Sequence, residues 1–253
     1  MLRVVEFGEA DLILHLLTPE TARLTAIARH ARRSRKRFAG TLDLFNHLRV
    51  SAVRRAGAAG MARLEQATLV EAFPALREDA ARFALGCYLL ELLDRLAPEG
   101  GARADARRLF SFALAALRAL EARSPDARIR VLLELRALDA VGLRPELEAC
   151  VRCGRGIGGS DEVPFHVAEG GPLCAACVRA GDGAVGVHLG TLRALGVGLR
   201  FAPDQLGRVA LSAPALAEAR RLLARFARFH VGLELQSERF LNEIIPSADL
   251  PAG

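Results

Sequence analysis

The sequence has no tryptophan, one tyrosine and one lysine, Lys36. With a single lysine, 34 of the 35 basic residues are arginine, a side chain that grips phosphate as a bidentate fork rather than as a point charge. Lys36 follows Arg35 and not a glycine, so the chain has no Gly-Lys-Ser/Thr phosphate loop and no ATP site of that kind. His-Glu-x-x-His and Gly-x-Ser-x-Gly are missing as well, and the acids are scattered rather than gathered at metal spacing. The glycines of "GRGIGG" open no helix after a strand, which excludes a dinucleotide fingerprint. No catalytic signature is left, and the chain reads as a binding protein and not as an enzyme. The longest stretch without Asp, Glu, Lys or Arg is ten residues, Gly183 to Leu192, where a membrane helix needs about 20. Glu6, Glu9 and Asp11 interrupt the N-terminus before an apolar signal region forms, so a cytoplasmic protein is expected.

What the chain does hold is an uneven distribution of charge. Its 253 residues are 51% hydrophobic and 25% charged, a globular balance with room for two or three small domains. Net charge is +6, yet the window from Thr21 to Leu64 carries eleven basic residues against one acid, Asp43, and is therefore +10, leaving −4 for the rest. Its densest part is "ARHARRSRKRFAG", Ala28 to Gly40, with Arg29, Arg32, Arg33, Arg35, Lys36 and Arg37 and no acid. A loop that binds nothing gains by mixing signs, because like charges this close repel. Six uncompensated cations point to an anion among them, and Arg23, Arg49, Arg54 and Arg55 on adjoining strands extend the patch. Such a face is the footprint of backbone-led nucleic-acid binding. Phe38 and Phe45 flank the run; each reads first as a core residue and second as a ring on which a base could stack.

The first seventy or so residues read as strands. "DLILHLLT" and "RLTAIARHA" (Arg23 to Ala31) are joined by "PETA", "HLRVSAVRR" runs into "AGAAG", and "MARLEQATLVEAF" returns from it. With a stub at "LRVVEF" these are five strands, enough for a small closed barrel. After Pro74 the period becomes helical: "ALREDAARFALGCYLLELLDRLA", "RADARRLFSFALAALRALEAR" and "DARIRVLLELRALDAVG", the last with Gly142 as its cap. "APALAEARRLLARFARFHVG" and "QSERFLNEI" are helical further on. The expected class is α+β, with the barrel over 1–74, a helical domain over 75–149 and 181–246, an insertion at 150–180 and a tail at 247–253.

That insertion holds four of the five cysteines, as "CVRC" (Cys150, Cys153) and "CAAC" (Cys174, Cys177). Each Cys-x-x-C turn aims two thiolates at one tetrahedral ion, and the Gly-rich residues between the pairs need such a staple to fold. Disulfides are disfavoured in the cytoplasm, and a thioredoxin-type site needs one Cys-x-x-Cys, not two. The reading is structural Zn2+ with no open coordination position. Cys87 lies on an apolar helix face as a small core residue, and His166 reads as a strand residue rather than a ligand.

Four pieces, in order, resemble the RecO family of bacterial recombination mediators: "FGEADLILHLLTPE", "ARHARRSRKR", "LVEAFPALREDAARFALGCYLLELLDRLAPEG" and "LLELRALDAVGLRPELEACVRCG" leading to "GGPLCAACV". The resemblance implies an N-terminal OB-fold, a central helical domain and a zinc knuckle inserted in it. It also implies binding of single- and double-stranded DNA, annealing of complementary strands, and help in loading RecA recombinase onto strands coated with single-strand-binding protein. The partners it implies are RecR, the acidic C-terminal tail of single-strand-binding protein and, less directly, RecF. Arg128 and Arg130, at the start of "DARIRVLLELRAL", are placed by position to meet that tail. Family members carry several residues ahead of "LRVVEF", which shortens the first strand here and sets the expected start upstream of Met1. They also carry glycine where this chain has His30. Two other readings remain at this point: a scaffold whose basic loop grips an acidic protein, and an RNA-binding zinc protein.

Overall fold

Alternating apolar residues punctuated by turns give the N-terminal strands their limits. In the computed structural model, which describes residues 1–34, 36–38, 40–54, 61–232 and 235–245, these are β1 (Arg3–Phe7), β2 (Asp11–Thr18), β3 (Ala22–Ala28), β4 (His47–Val53) and β5 (Ala62–Glu71). They form one sheet in the order β1-β2-β3-β5-β4. All neighbours run antiparallel except β3 and β5, which pair in parallel at Ala26 with Ala62 and Ile27 with Arg63. The two end strands approach one another at their starts, where the Met1 ammonium donates to the Asn46 carbonyl at 3.0 Å. This is an OB-like sheet, and its interior is filled by Leu14 and Leu16 of β2, Ala26 and Ala28 of β3, Ala62, Leu64 and Ala67 of β5, and Phe38. The small alanines let the strands curl tightly around the few leucines.

The residues group into two compact units, Met1–Ser124 and Pro125–Gly253. The first unit also contains α1 (Ala75–Glu78), α2 (Ala80–Leu96) and α3 (Arg103–Ala122), so three helices that follow the expected boundary at 74 group with the strands. The helix expected to run unbroken from Ala75 divides at Asp79, whose extended backbone (φ −114°) ends α1 and whose carboxylate accepts from the Arg82 N–H at 2.8 Å to cap α2. The strand expected to reach Ala31 stops at Ala28, because His30 turns the chain with a left-handed backbone (φ 55°, ψ 28°), a conformation that glycine adopts without strain.

In the second unit, α4 (Ala127–Ala140) starts on Asp126, which accepts from the N–H groups of Arg128 and Ile129. It ends one residue before the expected cap: Val141 is the C-cap and Gly142 (φ +81°) follows it. The Gly142 N–H reaches the Asp139 carbonyl at 3.0 Å and the Leu143 N–H the Leu138 carbonyl at 2.9 Å, the two bonds of a Schellman turn. Strands β6 (Glu162–His166), β7 (Gly171–Pro172) and β8 (Val185–His188) form a small sheet, and His166 is a strand residue. Helices α5 (Leu189–Arg200), α6 (Ala213–Val231) and α7 (Ser237–Ile244) complete the unit. The pattern reading missed α5; Gly198 lies so close to α4 that an added Cβ would stand 2.5 Å from the Leu132 side chain.

Gly86 does the same for α2 in the first unit. Phe45 takes a left-handed backbone (φ 68°), which costs about 1–3 kcal/mol in a bulky residue. Burial of its ring, about 1.5–3 kcal/mol, offsets that cost, and the ring fits only because α2 has no side chain at Gly86: a Cβ there would meet it at 2.7 Å. Gly86→Val is therefore expected to lower stability by about 1–3 kcal/mol, read as a fall in melting temperature; an unchanged melting temperature would show that Phe45 has room to move.

Candidate nucleic-acid interface and metal centre

The parallel pairing of β3 with β5 sends the intervening chain out of the sheet, and the basic run lies on that excursion. A short 3-10 turn, Ala31–Arg33, follows His30, whose N–H is held by the Asp11 carboxylate at 2.7 Å. Two backbone bonds seat the run on the sheet: the Arg32 N–H to the Ala10 carbonyl at 3.1 Å, and the Ala67 N–H of β5 to the Arg37 carbonyl at 3.2 Å. The next residue of β5, Thr68, pairs with Arg49 on β4. Loop and strand cations therefore adjoin, with exposed Gln66 and Thr68 between them. Side chains of these types also hydrogen-bond phosphate, and the outward alternation of β5 is the sequence signal that marks them.

The nine arginines and one lysine singled out by charge do not share one role. Arg29, Arg33, Lys36, Arg49 and Arg54 are exposed and have no ion pair among the described residues. Arg32 meets Glu6 of β1 at 3.2 Å, both exposed, a contact worth about 0–1 kcal/mol and easily exchanged for a phosphate. Arg37 closes the loop instead, donating to the Arg29 carbonyl at 2.7 Å and lying over the Phe38 ring at 5.0 Å. Arg23 is half-buried, donates to the Asp94 carbonyl at 2.7 Å and lies 3.6 Å from Glu99, so it ties β3 to the end of α2. His15 of β2 joins the same tie, 2.7 Å from the Asp94 carboxylate. Arg35 and Arg55 fall outside the described residues. Phe38 and Phe45 are buried, so neither ring is open to a base.

The four cysteines come together in the second unit. Their sulfurs all lie within 4.8 Å of one another, Cys153 and Cys174 at 3.7 Å, and no disulfide joins them. Tight turns shape each pair: the Gly154 N–H bonds the Cys150 carbonyl at 2.8 Å, with Gly154 at φ +71°, and the Cys177 N–H bonds the Cys174 carbonyl at 2.9 Å. Burial works to raise the Cys150 thiol, but the N–H groups of Cys174, Arg152 and Cys153 converge on it and hold it down at about 6. Cys177 goes the other way, pushed up to about 12 by the sulfurs of Cys153 and Cys174. Four thiolates at this spacing need a cation among them to ionise together, and four soft ligands around one point fit a single thiophilic metal ion.

Pattern reading overlooked Arg152, which stands between the first two ligands. Its guanidinium donates to both oxygens of Glu169 (2.6–3.1 Å), to both of Asp182 (2.9 Å each) and to the Cys177 carbonyl at 2.7 Å. The fork thus locks the first Cys-x-x-Cys turn to the second. Arg152 holds Glu169 below the usual carboxylate range, and Asp182 is lowered to about 2 by Arg152 and the Arg179 N–H. Nothing in the spacing of charges along the chain marks these partners.

Arg130 and Arg128 are held differently. Arg130 lies on the buried side of α4, 4% exposed, and donates to Glu238 at 2.6 Å and Asn242 at 2.5 Å on α7, so it is committed to the helical packing. Arg128 folds back onto Asp126 at 2.6 Å and remains partly exposed.

Two family models match the chain: residues 1–73 fit the one described as Recombination protein O N terminal, and residues 77–239 the one described as Recombination protein O C terminal. The chain is 39% identical over 249 residues to the DNA repair protein RecO of Anaeromyxobacter dehalogenans, covering 97% of this chain and 95% of that protein. It is 36% identical to the protein of the same name from Myxococcus xanthus (96% and 95% covered) and 35% identical to that of Symbiobacterium thermophilum (96% and 95%).

Since the Arg152 fork joins both halves of the cysteine cluster, Arg152→Ala is expected to release bound metal to a chelator faster than the wild type and to lower the melting temperature. Arg152→Lys keeps the charge but not the fork and is expected to rescue only partly. Equal metal retention in all three proteins would remove the clamp from the account.

Proposed function

The chain belongs to the RecO family of DNA repair proteins, and from that premise we propose that it is a recombination mediator. It binds single- and double-stranded DNA across the basic face of its N-terminal unit, anneals complementary strands, and helps to load RecA recombinase onto strands coated with single-strand-binding protein. The observation that carries this reading is the seating of the cationic loop on β5 beside Arg49, near polar Gln66 and Thr68, with five exposed cations on loop and strand that have no ion pair among the described residues. Such a surface meets phosphates in series and favours no base, which suits a protein that handles strands of any sequence.

The cysteine cluster takes zinc in a structural role: four thiolates complete a tetrahedron and leave no position for a reacting water. Partners are RecR, the acidic tail of single-strand-binding protein and RecF. With Arg130 sealed against α7, only Arg128 of the two is left to meet that tail. The protein hydrolyses no nucleotide and works in the cytoplasm, at the nucleoid. Among the described residues no helix is long and apolar enough to cross a membrane.

The test is annealing of complementary oligonucleotides coated with single-strand-binding protein, followed by energy transfer between strand-end dyes. Added protein is expected to raise the rate well above the uncatalysed one, and elemental analysis to find about one zinc per chain. Strands that stay apart in the presence of the metal-loaded protein would refute the mediator reading.

A further inference from the structure

Helix α6 carries a second cationic surface, spread over a helical repeat rather than run together in the sequence. Arg221, Arg225 and Arg228 are exposed and recur at i, i+4 and i+7, which sets them along one side of the helix. None has an ion pair among the described residues, and the one acid of α6, Glu218, is engaged by His188 at 2.9 Å. Beside the last arginine stands Phe229, at 61% the most exposed large apolar residue among those described. Its ring does not hang free. It meets His230 edge to face at 5.0 Å, and His230 packs on the buried Phe226 at 4.2 Å. The His230 Nε2–H donates to the Val167 carbonyl at 2.8 Å, in the turn between β6 and β7, which fixes the imidazole and with it the neighbouring ring.

We propose that this side of α6 is a second nucleic-acid site, which holds the phosphates of a second single strand on Arg221, Arg225 and Arg228 and stacks one of its bases on Phe229. The inference rests on the reading that the protein binds and anneals DNA, and adds where the other strand is held. Arg221 and Arg228 lie about 10 Å apart along the helix axis, close to the axial length of three phosphates on one strand of a duplex. A rigid exposed ring beside arginines is the combination used to stack bases of any identity. An acidic peptide offers the ring a flat face only where it carries an aromatic side chain, whereas every nucleotide carries a base, so the nucleic acid is the better fit.

The experiment loads metal-bound, full-length protein with one labelled oligothymidine and measures capture of a second, differently labelled one. The triple variant Arg221→Ala, Arg225→Ala, Arg228→Ala is expected to bind the first strand as the wild type does, while the salt dependence of second-strand capture becomes shallower by about two log-log units for three phosphates lost. Phe229→Ala is expected to weaken second-strand capture about tenfold, and Phe229→Tyr to keep it, since the face of the ring is what stacks. Variants that capture the second strand as the wild type does would overturn the α6 site and leave the DNA-binding reading standing; so would displacement of an acidic peptide, but not of DNA, by the triple substitution. A wild type that binds no strand would sink both.

Discussion

The architecture of the basic surface depends on one pairing, β3 running parallel to β5 through Ala26–Ala62 and Ile27–Arg63. Parallel neighbours cannot be joined by a tight turn, so the chain has to leave the sheet and come back. It spends the excursion on the basic loop and on β4, and returns β4 antiparallel to β5 on its far side. Charge that is contiguous in sequence is thereby laid along the sheet, stitched to the Ala10 and Ala67 backbone, with the Arg49 strand alongside. An antiparallel hairpin in place of this crossover would have left the cations on a projecting turn.

The two candidate sites pose the same electrostatic problem with opposite signs. Around the loop, cations accumulate with Glu6 on Arg32 and the Asp11 carboxylate on the His30 N–H, and the proposed counter-charge for the rest is a polyanion. In the cysteine cluster, four thiols accumulate, one held down at about 6 and another pushed up to about 12, an arrangement that could hold a metal ion as its counter-charge. In both, the backbone is pre-shaped by left-handed residues, His30 in one and Gly154 in the other. In both places the fold puts like-charged or like-ionising groups together.

What was legible in the sequence was what is contiguous. The basic run, the two Cys-x-x-Cys pairs and the helical periods are each contained within a few residues of chain, and the structure has the loop, the cluster and the helices there. What was not legible depends on partners far away in sequence. Arg23 looked like part of the cationic face until Asp94 and Glu99 met it from the end of α2, and Arg130 looked like a surface charge until Glu238 and Asn242 of α7 enclosed it. Arg152 was overlooked because its acids are distant in sequence, Glu169 in the turn between β6 and β7 and Asp182 past the last cysteine of the cluster. Helix α5 escaped because Gly190, Gly196 and Gly198 lower its helical propensity, while the close contact with Leu132 that requires one of them exists only in three dimensions.

The central claim, that the loop and β4 together form the main DNA contact, is tested most directly by the salt dependence of single-strand binding in Arg33→Ala, Lys36→Ala, Arg49→Ala. These three are exposed, unpaired among the described residues and far from the cysteines in sequence, so the variant should keep its fold and any bound metal. Loss of three phosphate contacts predicts weaker binding to every sequence alike and a log-log salt slope shallower by about two units. A variant that binds with the wild-type slope would contradict the account and leave the basic loop as solvated surface.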